Sequence, residues 1–138
     1  MLFVPYIMFD GNAAEAIDFY SKVLGADAPA EIMYYRDTNA VDIPTEYGDK
    51  VLHAELKFPG GMLYISDAFP GANVTYTDSI SFNLGPDSEA SAYELFDKLS
   101  EGGKVVQPLQ KEFWGALYGS VTDQFGIYWS VNFQLPAE

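Results

Sequence analysis

The apolar and polar positions of the chain follow two periods, and the whole pattern occurs twice. An apolar segment at 2–9 precedes a stretch in which apolar side chains recur every three or four residues, and three alternating segments follow. Recurrence every three or four residues is typical of an amphipathic helix, and strict alternation is typical of half-buried strands. The same order returns from residue 79. The pattern therefore predicts strand, helix and three strands, repeated once.

Two helices are predicted between capping and breaking residues. The first begins at Asn12, a good N-cap residue, and ends at Gly25. The second begins near Asp87 or Ser88 and ends at Gly102-Gly103. Each has one apolar stripe, which we expect to be buried. The stripes are Ala13, Ala16, Ile17, Tyr20 and Leu24 in the first helix and Ala92, Leu95, Phe96 and Leu99 in the second.

Eight strands are predicted around these helices. They lie at 2–9, 30–36, 51–58 and 62–66 in the first half, and at 79–84, 104–109, 115–122 and 127–133 in the second. Alternation sorts the side chains of a strand onto two faces. On 51–58 the side facing the helix is Leu52, Ala54, Leu56 and Phe58, and the opposite side is His53, Glu55 and Lys57.

These elements predict an α+β fold of one domain made of two βαβββ modules. The first module spans 1–67, a bridging loop spans 68–78, and the second module spans 79–138. The apolar helix stripes must be buried on one sheet face. The other face is then free to curl, so we expect eight strands forming a cupped mixed sheet.

The charge of the chain is strongly acidic. Twenty acidic against seven basic residues give a formal net charge of -13, and Arg36 is the single arginine. Nucleic-acid binding requires clustered Lys and Arg, so that class is excluded. An acidic field attracts cationic ligands and repels anionic ones, although it also simply promotes solubility.

The chain contains no cysteine. This excludes disulfides, zinc–thiolate sites and cysteine nucleophiles, and it fits a cytoplasmic protein. No apolar run approaches the ~20 residues that cross a bilayer, and the N-terminal segment has no basic region of the kind that signal peptides carry. We therefore expect a cytoplasmic protein that binds no membrane.

Two segments resemble the vicinal oxygen chelate superfamily, which includes glyoxalase I, extradiol dioxygenases and bleomycin-resistance proteins. They are "DGNAAEAIDFYSKVLGA" (10–26) and "TDQFGIYWSVN" (122–132). Within the superfamily, "VLHAELKF", "MLYISD" and "FWGALYGSVTDQFGIYW" resemble the PhnB-like branch, also labelled demethylubiquinone-methyltransferase-like. The resemblance covers nearly the whole chain. It implies the glyoxalase/bleomycin-resistance-like fold and a homodimer.

The resemblance also implies four metal-ligand positions, and this chain carries unsuitable side chains there. The positions correspond to Pro5, Tyr64, Ser79 or Ser81, and Ser130. Divalent metals require imidazole or carboxylate ligands from several such positions. The chain has a single histidine, His53. We therefore expect no metal and no cofactor.

Other side chains are candidates for ligand binding or proton transfer. His53 and Glu55 share one strand face and form a possible acid–base pair, but His53 is equally open to a structural role. Aromatic residues of the second half form either a ligand cage or part of the core. The candidates for ligand contact are Tyr64, Trp114, Tyr118, Tyr128 and Ser130, with Phe125 and Trp129 as further aromatic residues.

Two classes of function follow. The first is a metal-free protein that binds a small organic ligand, cationic and aromatic, in the cup. The second is an isomerase, lyase or dioxygenase-type enzyme that uses His53 and Glu55 or a non-standard metal site. A methyltransferase activity finds no support, because no strand leads into a glycine-rich nucleotide loop.

Overall fold

The computed structural model describes residues 1–39 and 42–137. By their contacts, the residues divide into two compact units, Met1–Thr75 and Tyr76–Glu138. The first unit contains β1 (Tyr6–Phe9), α1 (Ala13–Val23), β2 (Glu31–Tyr34), β3 (Val51–Phe58) and β4 (Gly61–Asp67). The second contains β5 (Phe82–Leu84), α2 (Glu89–Ser100), β6 (Lys104–Lys111), β7 (Ala116–Thr122) and β8 (Tyr128–Gln134).

Each unit has one mixed four-stranded sheet with a helix packed on it. The strand orders are β1-β4-β3-β2 and β5-β8-β7-β6, so the two units repeat the same topology. Strand β1 runs parallel to β4, and β5 runs parallel to β8. All other neighbouring strands are antiparallel. Helix α1 contacts β3 and β4, and α2 contacts β6, β7 and β8. This confirms the predicted α+β class with two βαβββ modules. The single domain with modules at 1–67 and 79–138 stays a prediction.

The N-terminus of α1 is capped differently from the prediction. Asn12 makes no side-chain capping bond. Instead Oδ1 of Asp67, at the end of β4, accepts a hydrogen bond from the Ala13 backbone N–H at 2.9 Å. The other oxygen, Oδ2, accepts from the Val51 N–H at 2.9 Å. One carboxylate that is 1% exposed thus ties the helix start to β3 and β4.

In the second unit a serine caps the helix and a buried aspartate organises a turn between two strands. Ser88 caps α2, because its Oγ accepts from the Ser91 N–H at 3.0 Å. At the β7–β8 turn, Oδ1 of Asp123 accepts from the N–H groups of Phe125 and Ile127. Its Oδ2 accepts from Trp129 Nε1 at 2.8 Å. The buried Asp123 therefore fixes both the turn and the orientation of the indole.

Three predicted strands are shorter than expected. The segment 30–36 forms strand only at Glu31–Tyr34, because a 3₁₀ turn occupies Tyr35–Asp37. The segment 2–9 forms strand only from Tyr6, because Pro5 has no N–H to contribute to the ladder. The segment 79–84 forms strand only at Phe82–Leu84, since residues 78 and 79 form a turn. Strand β3 has the predicted limits, and β6 extends to Lys111.

The core of each unit lies between its helix and its sheet. On the helices the buried residues include Ala16, Ile17 and Tyr20 in α1 and Ala92, Phe96 and Leu99 in α2, as the stripes predict. Burial of this kind is the main stabilising contribution to such a fold. Within the described ranges, no helix has the length and apolar character that crossing a membrane requires.

Candidate functional site

The open face of the first sheet carries an uninterrupted row of polar and aromatic side chains. Strand pairing places Tyr6 beside Tyr64, Tyr64 beside Glu55, and Glu55 beside Glu31. Like charges on directly paired strand positions are unfavourable unless something offsets them. In the described part of the chain, neither Glu31 nor Glu55 forms an ion pair with a basic side chain. This row gives the face a local negative charge.

His53 lies on the same face and contacts two tyrosines. Its Nδ1 is 2.6 Å from the hydroxyl of Tyr6. The imidazole packs edge-on against Tyr6, with ring centroids 5.4 Å apart, and against Tyr64, at 4.9 Å. Alternation predicts this face for His53, whereas the partner Tyr6, 47 residues away, comes only from the sheet register.

Tyr64 interacts with the acidic end of the row. Partial burial raises the pKa of its phenol, and the neighbouring carboxylate of Glu55 raises it further. The negative charge that ionised Tyr6 would carry adds a smaller contribution in the same direction. The predicted pair His53 and Glu55 thus belongs to a group of four proton-carrying side chains on one face.

A cavity lies at the end of this face where β2 and β3 pair. Its volume is about 290 Å³, and its lining includes Asp27, Glu31, Glu55 and Lys57. His53 is not part of this lining. The two members of the predicted acid–base pair therefore share a sheet face, but of the two only Glu55 lines this cavity.

In the second sheet, the predicted ligand contact Ser130 is engaged within the protein. It is 5% exposed, and its Oγ donates to Oδ1 of Asn83 at 2.9 Å. The parallel register pairs these two residues directly. The strand begins only at Phe82, so neither Ser79 nor Ser81 pairs with Ser130. For the same reason of register, Tyr6 and not Pro5 is the partner of Tyr64.

The donor groups at these four positions do not suit a divalent transition metal. The four predicted positions offer the phenol of Tyr64 and the hydroxyls of Ser130 and of Ser79 or Ser81, whereas Pro5 has no side-chain donor. The parallel-strand partners Tyr6 and Asn83 add a phenol and an amide. Such ions prefer imidazole, thiolate or carboxylate ligands. Across residues 1–39 and 42–137, no group of three or more His, Cys, Asp or Glu side chains is placed to hold a metal ion.

The second unit contains an open groove of about 790 Å³. Its lining includes two predicted ligand contacts, Tyr118 and Tyr128. Ser120 and Thr122, which share a strand face with Tyr118, add hydroxyl groups. Ligand pockets commonly enclose roughly 300 to 1,000 Å³ and combine aromatic surface with a few polar groups. The groove's volume lies within that range, and its lining combines aromatic rings with hydroxyl groups.

Two charged residues of this groove were not singled out by the sequence. Asp78 and Lys104 both belong to the lining. Among the described residues, neither forms an ion pair. Their positions in a loop and at the first residue of β6 leave no periodic signal, so only the folded chain brings them together.

The remaining aromatic candidates divide between core and surface. Trp129 is 1% exposed and donates to Asp123, so it is mainly a core residue, although it borders the groove. Trp114 is 50% exposed and stacks edge-on with Tyr118, with centroids 6.1 Å apart. It is not part of the groove lining, and Phe125 is not either. The structure therefore brings Tyr118 and Tyr128 to one groove, but not the whole predicted cage.

Two βαβββ units with mixed sheets define the glyoxalase/bleomycin-resistance class of the vicinal oxygen chelate superfamily. The fold is similar to that of a glyoxalase/bleomycin resistance protein from Albidiferax ferrireducens T118. The TM-score is 0.61 at 14% identity, and the alignment covers 94% of this chain and 98% of that one.

The chain belongs to the family described as 3-demethylubiquinone-9 3-methyltransferase, whose sequence profile matches residues 2–132. It is similar to protein PA1353 from Pseudomonas aeruginosa, with a TM-score of 0.86, 36% identity and coverage of 99% of each chain. Its fold also resembles that of a putative 3-demethylubiquinone-9 3-methyltransferase, PhnB protein, from Bacillus cereus, with a TM-score of 0.75 and 24% identity over 96% of this chain and 99% of that one. The predicted superfamily and PhnB-like branch are confirmed.

Proposed function

We propose that the protein is a metal-free binding protein that holds a small, cationic and aromatic organic ligand in the groove of its second unit. The observation that carries the proposal is the groove of about 790 Å³, which combines the rings of Tyr118 and Tyr128 with hydroxyl groups. A planar ring packs well against such aromatic side chains. Asp78 supplies a negative charge for a cationic substituent.

The acidic charge of the whole chain supports the preference for cations. A formal net charge of -13 attracts positive ligands over several ångströms and repels negative ones. This long-range attraction is screened by salt, since the Debye length falls from ~10 Å at 0.1 M to ~3 Å at 1 M. Binding of the proposed ligand should therefore weaken as salt is added.

The metal-free character is supported by the chemistry of the corresponding ligand positions. Pro5, Tyr64, Ser79 or Ser81, and Ser130 supply a phenol and hydroxyls there, with no imidazole or carboxylate. The family description names a methyltransferase, but a nucleotide-type cofactor fold needs successive parallel strands joined by a helix, with a glycine-rich loop between strand and helix. In this chain the helices connect strands at opposite edges of mixed sheets. We therefore propose binding without such a cofactor.

The second class, an isomerase, lyase or dioxygenase-type enzyme, would use His53 and Glu55. The fold gathers both residues on one sheet face with Tyr6 and Tyr64. The cavity at that end of the sheet includes Glu55 without His53, and the larger groove is lined by other residues. Binding in the groove is therefore the function that we propose. A homodimer is proposed with it on the basis of the resemblance, and a cytoplasmic location because the chain contains no cysteine.

Opposite charge changes in the groove provide the test. With a cationic aromatic dye as probe, Asp78→Asn should weaken binding and Lys104→Gln should strengthen it. A partly exposed charge contributes up to about 1 kcal/mol, or about fivefold in Kd. An anionic dye with the same ring system should show the reverse order and bind weakly.

Matched controls separate the groove from the overall field. Asp97→Asn and Lys98→Gln, on the exposed side of α2, alter the net charge equally but lie outside the groove lining. Fluorescence titration at low and high salt should show small, salt-sensitive effects of similar size and opposite sign for these two variants. If the controls change Kd as much as the groove variants do, the ligand is held by the field alone and the proposed site is wrong.

A further inference from the structure

The contact between Tyr6 and His53 determines how the histidine can act. The hydroxyl oxygen and Nδ1 are 2.6 Å apart. A neutral imidazole has one nitrogen that donates and one that accepts, and the bond made by one nitrogen decides the role of the other. The direction of this one hydrogen bond therefore fixes the chemistry of the whole ring.

We infer that Tyr6 is a positioning residue that donates to Nδ1 and holds neutral His53 in the tautomer with its proton on Nε2. The length of the bond supports this direction. With oxygen as acceptor, hydrogen bonds donated by hydroxyls measure about 2.5–3.0 Å, whereas those donated by N–H groups measure about 2.7–3.2 Å. A distance of 2.6 Å belongs to the first range.

The surroundings of the ring favour the same arrangement. Tyr6 and Tyr64 pack edge-on against the imidazole from two neighbouring strands, at 5.4 and 4.9 Å between centroids. The hydroxyl at hydrogen-bond distance from Nδ1 is that of Tyr6. Both rings contact the imidazole, and the hydroxyl that is hydrogen-bonded to it is that of Tyr6.

This tautomer limits His53 to one kind of chemistry. Its Nδ1 lone pair is occupied by Tyr6, and its Nε2 carries a proton. Neutral His53 then has no free lone pair with which to act as a general base, and it offers an N–H to a ligand instead. A carbonyl oxygen or an unprotonated ring nitrogen is the complementary group. An anionic acceptor is disfavoured, because Glu55 lies on the same face.

The inference concerns the first unit and does not depend on a ligand for the groove of the second. It is tested on the uniformly ¹⁵N-labelled, ligand-free protein by long-range proton–nitrogen correlation spectra at about pH 9, where histidine side chains are neutral. His53 is the single histidine, so its two ring nitrogens need no further assignment between residues. In the wild type, Nδ1 should show the chemical shift of an unprotonated nitrogen and Nε2 that of a protonated one.

Two matched variants complete the test. Tyr6→Phe keeps the ring and removes the hydroxyl, so both nitrogen shifts should move toward the average of the two tautomers. Tyr64→Phe removes the hydroxyl of the other tyrosine in contact with the ring and should leave the shifts of His53 as in the wild type. A protonated Nδ1 in the wild type overturns the inference, and so does a Tyr6→Phe spectrum identical to the wild type. Since Tyr6 is 50% exposed, Tyr6→Phe should fold, and the wild-type spectrum decides independently.

Discussion

Replacing Asp67 by asparagine removes the charge that joins the first helix to its sheet while leaving the shape of the side chain unchanged. Both carboxylate oxygens of Asp67 accept backbone hydrogen bonds at 2.9 Å, one from Ala13 and one from Val51. An amide retains one accepting oxygen and turns an NH₂ group toward the other N–H. One of the two backbone donors is then left without an acceptor in a position that is 1% exposed.

The expected cost follows from these two bonds. A hydrogen bond to a charged group contributes about 1.5–3 kcal/mol, and a buried donor without a partner costs about 1–3 kcal/mol. The two descriptions overlap, so we expect Asp67→Asn to lower the free energy of unfolding by about 2–4 kcal/mol. That is a large share of the roughly 5–15 kcal/mol that stabilises a typical domain.

Urea unfolding followed by circular dichroism measures this change, with the midpoint falling and the m value unchanged. Asp18→Asn is the control, because Asp18 makes only an exposed ion pair with Lys22 at 3.1 Å. Its effect should stay below about 0.5 kcal/mol. A loss for Asp67→Asn as small as that of the control would refute the assignment of Asp67 as the anchor of α1.

Three further predictions concern the ionisation of Tyr47, metal binding and the oligomeric state. Burial, with the charges of Asp67 and other acidic neighbours, raises the pKa of Tyr47 to about 12, and the Tyr47 hydroxyl donates to the Ala68 carbonyl. Tyrosine in an unfolded chain ionises near ~10, so the unfolded state loses its proton first, and stability should fall as the pH rises from ~10 to ~12. Tyr47→Phe should make this fall less steep in urea unfolding at alkaline pH, whereas Tyr93→Phe, on the exposed side of α2, should not. Zinc, nickel or manganese should leave the melting temperature unchanged, and elemental analysis that finds one metal per chain would contradict the metal-free proposal. Sedimentation at micromolar concentration should give about twice the chain mass of 15.3 kDa, and a monomer would contradict the proposed dimer.

The elements of the fold could be predicted because their signals are local. The stripe of Ala92, Phe96 and Leu99 is sufficient to identify α2, and strand β3 has the limits that alternation predicts. The ends of strands were less predictable. Whether Ser79 belongs to a strand depends on hydrogen bonds to a neighbouring strand, and the local sequence does not show which strand is the neighbour.

The candidate site was predictable by face but not by partner. Alternation places His53 and Glu55 on one side of their strand, and the resemblance puts Tyr64 at a ligand position. The structure brings all three onto one sheet face. Tyr6 was missed as the partner of His53, because strands β1 and β3 meet only across β4. Asp78 and Lys104 were missed because they lie in a loop and at a strand end, where no hydrophobic period indicates the position of a side chain.

The sequence by itself determined the order of the elements, the duplicated βαβββ pattern and the superfamily, because periodicity and short motifs act within a few neighbouring residues. Only the tertiary structure decided which side chains meet. It pairs Ser130 with Asn83, caps the N-terminus of α1 with the carboxylate of Asp67, and hydrogen-bonds Tyr6 to His53. The physical reason is that a strand's period fixes the face of a side chain, whereas its partner depends on strand order and register, which are set by the packing of the whole unit.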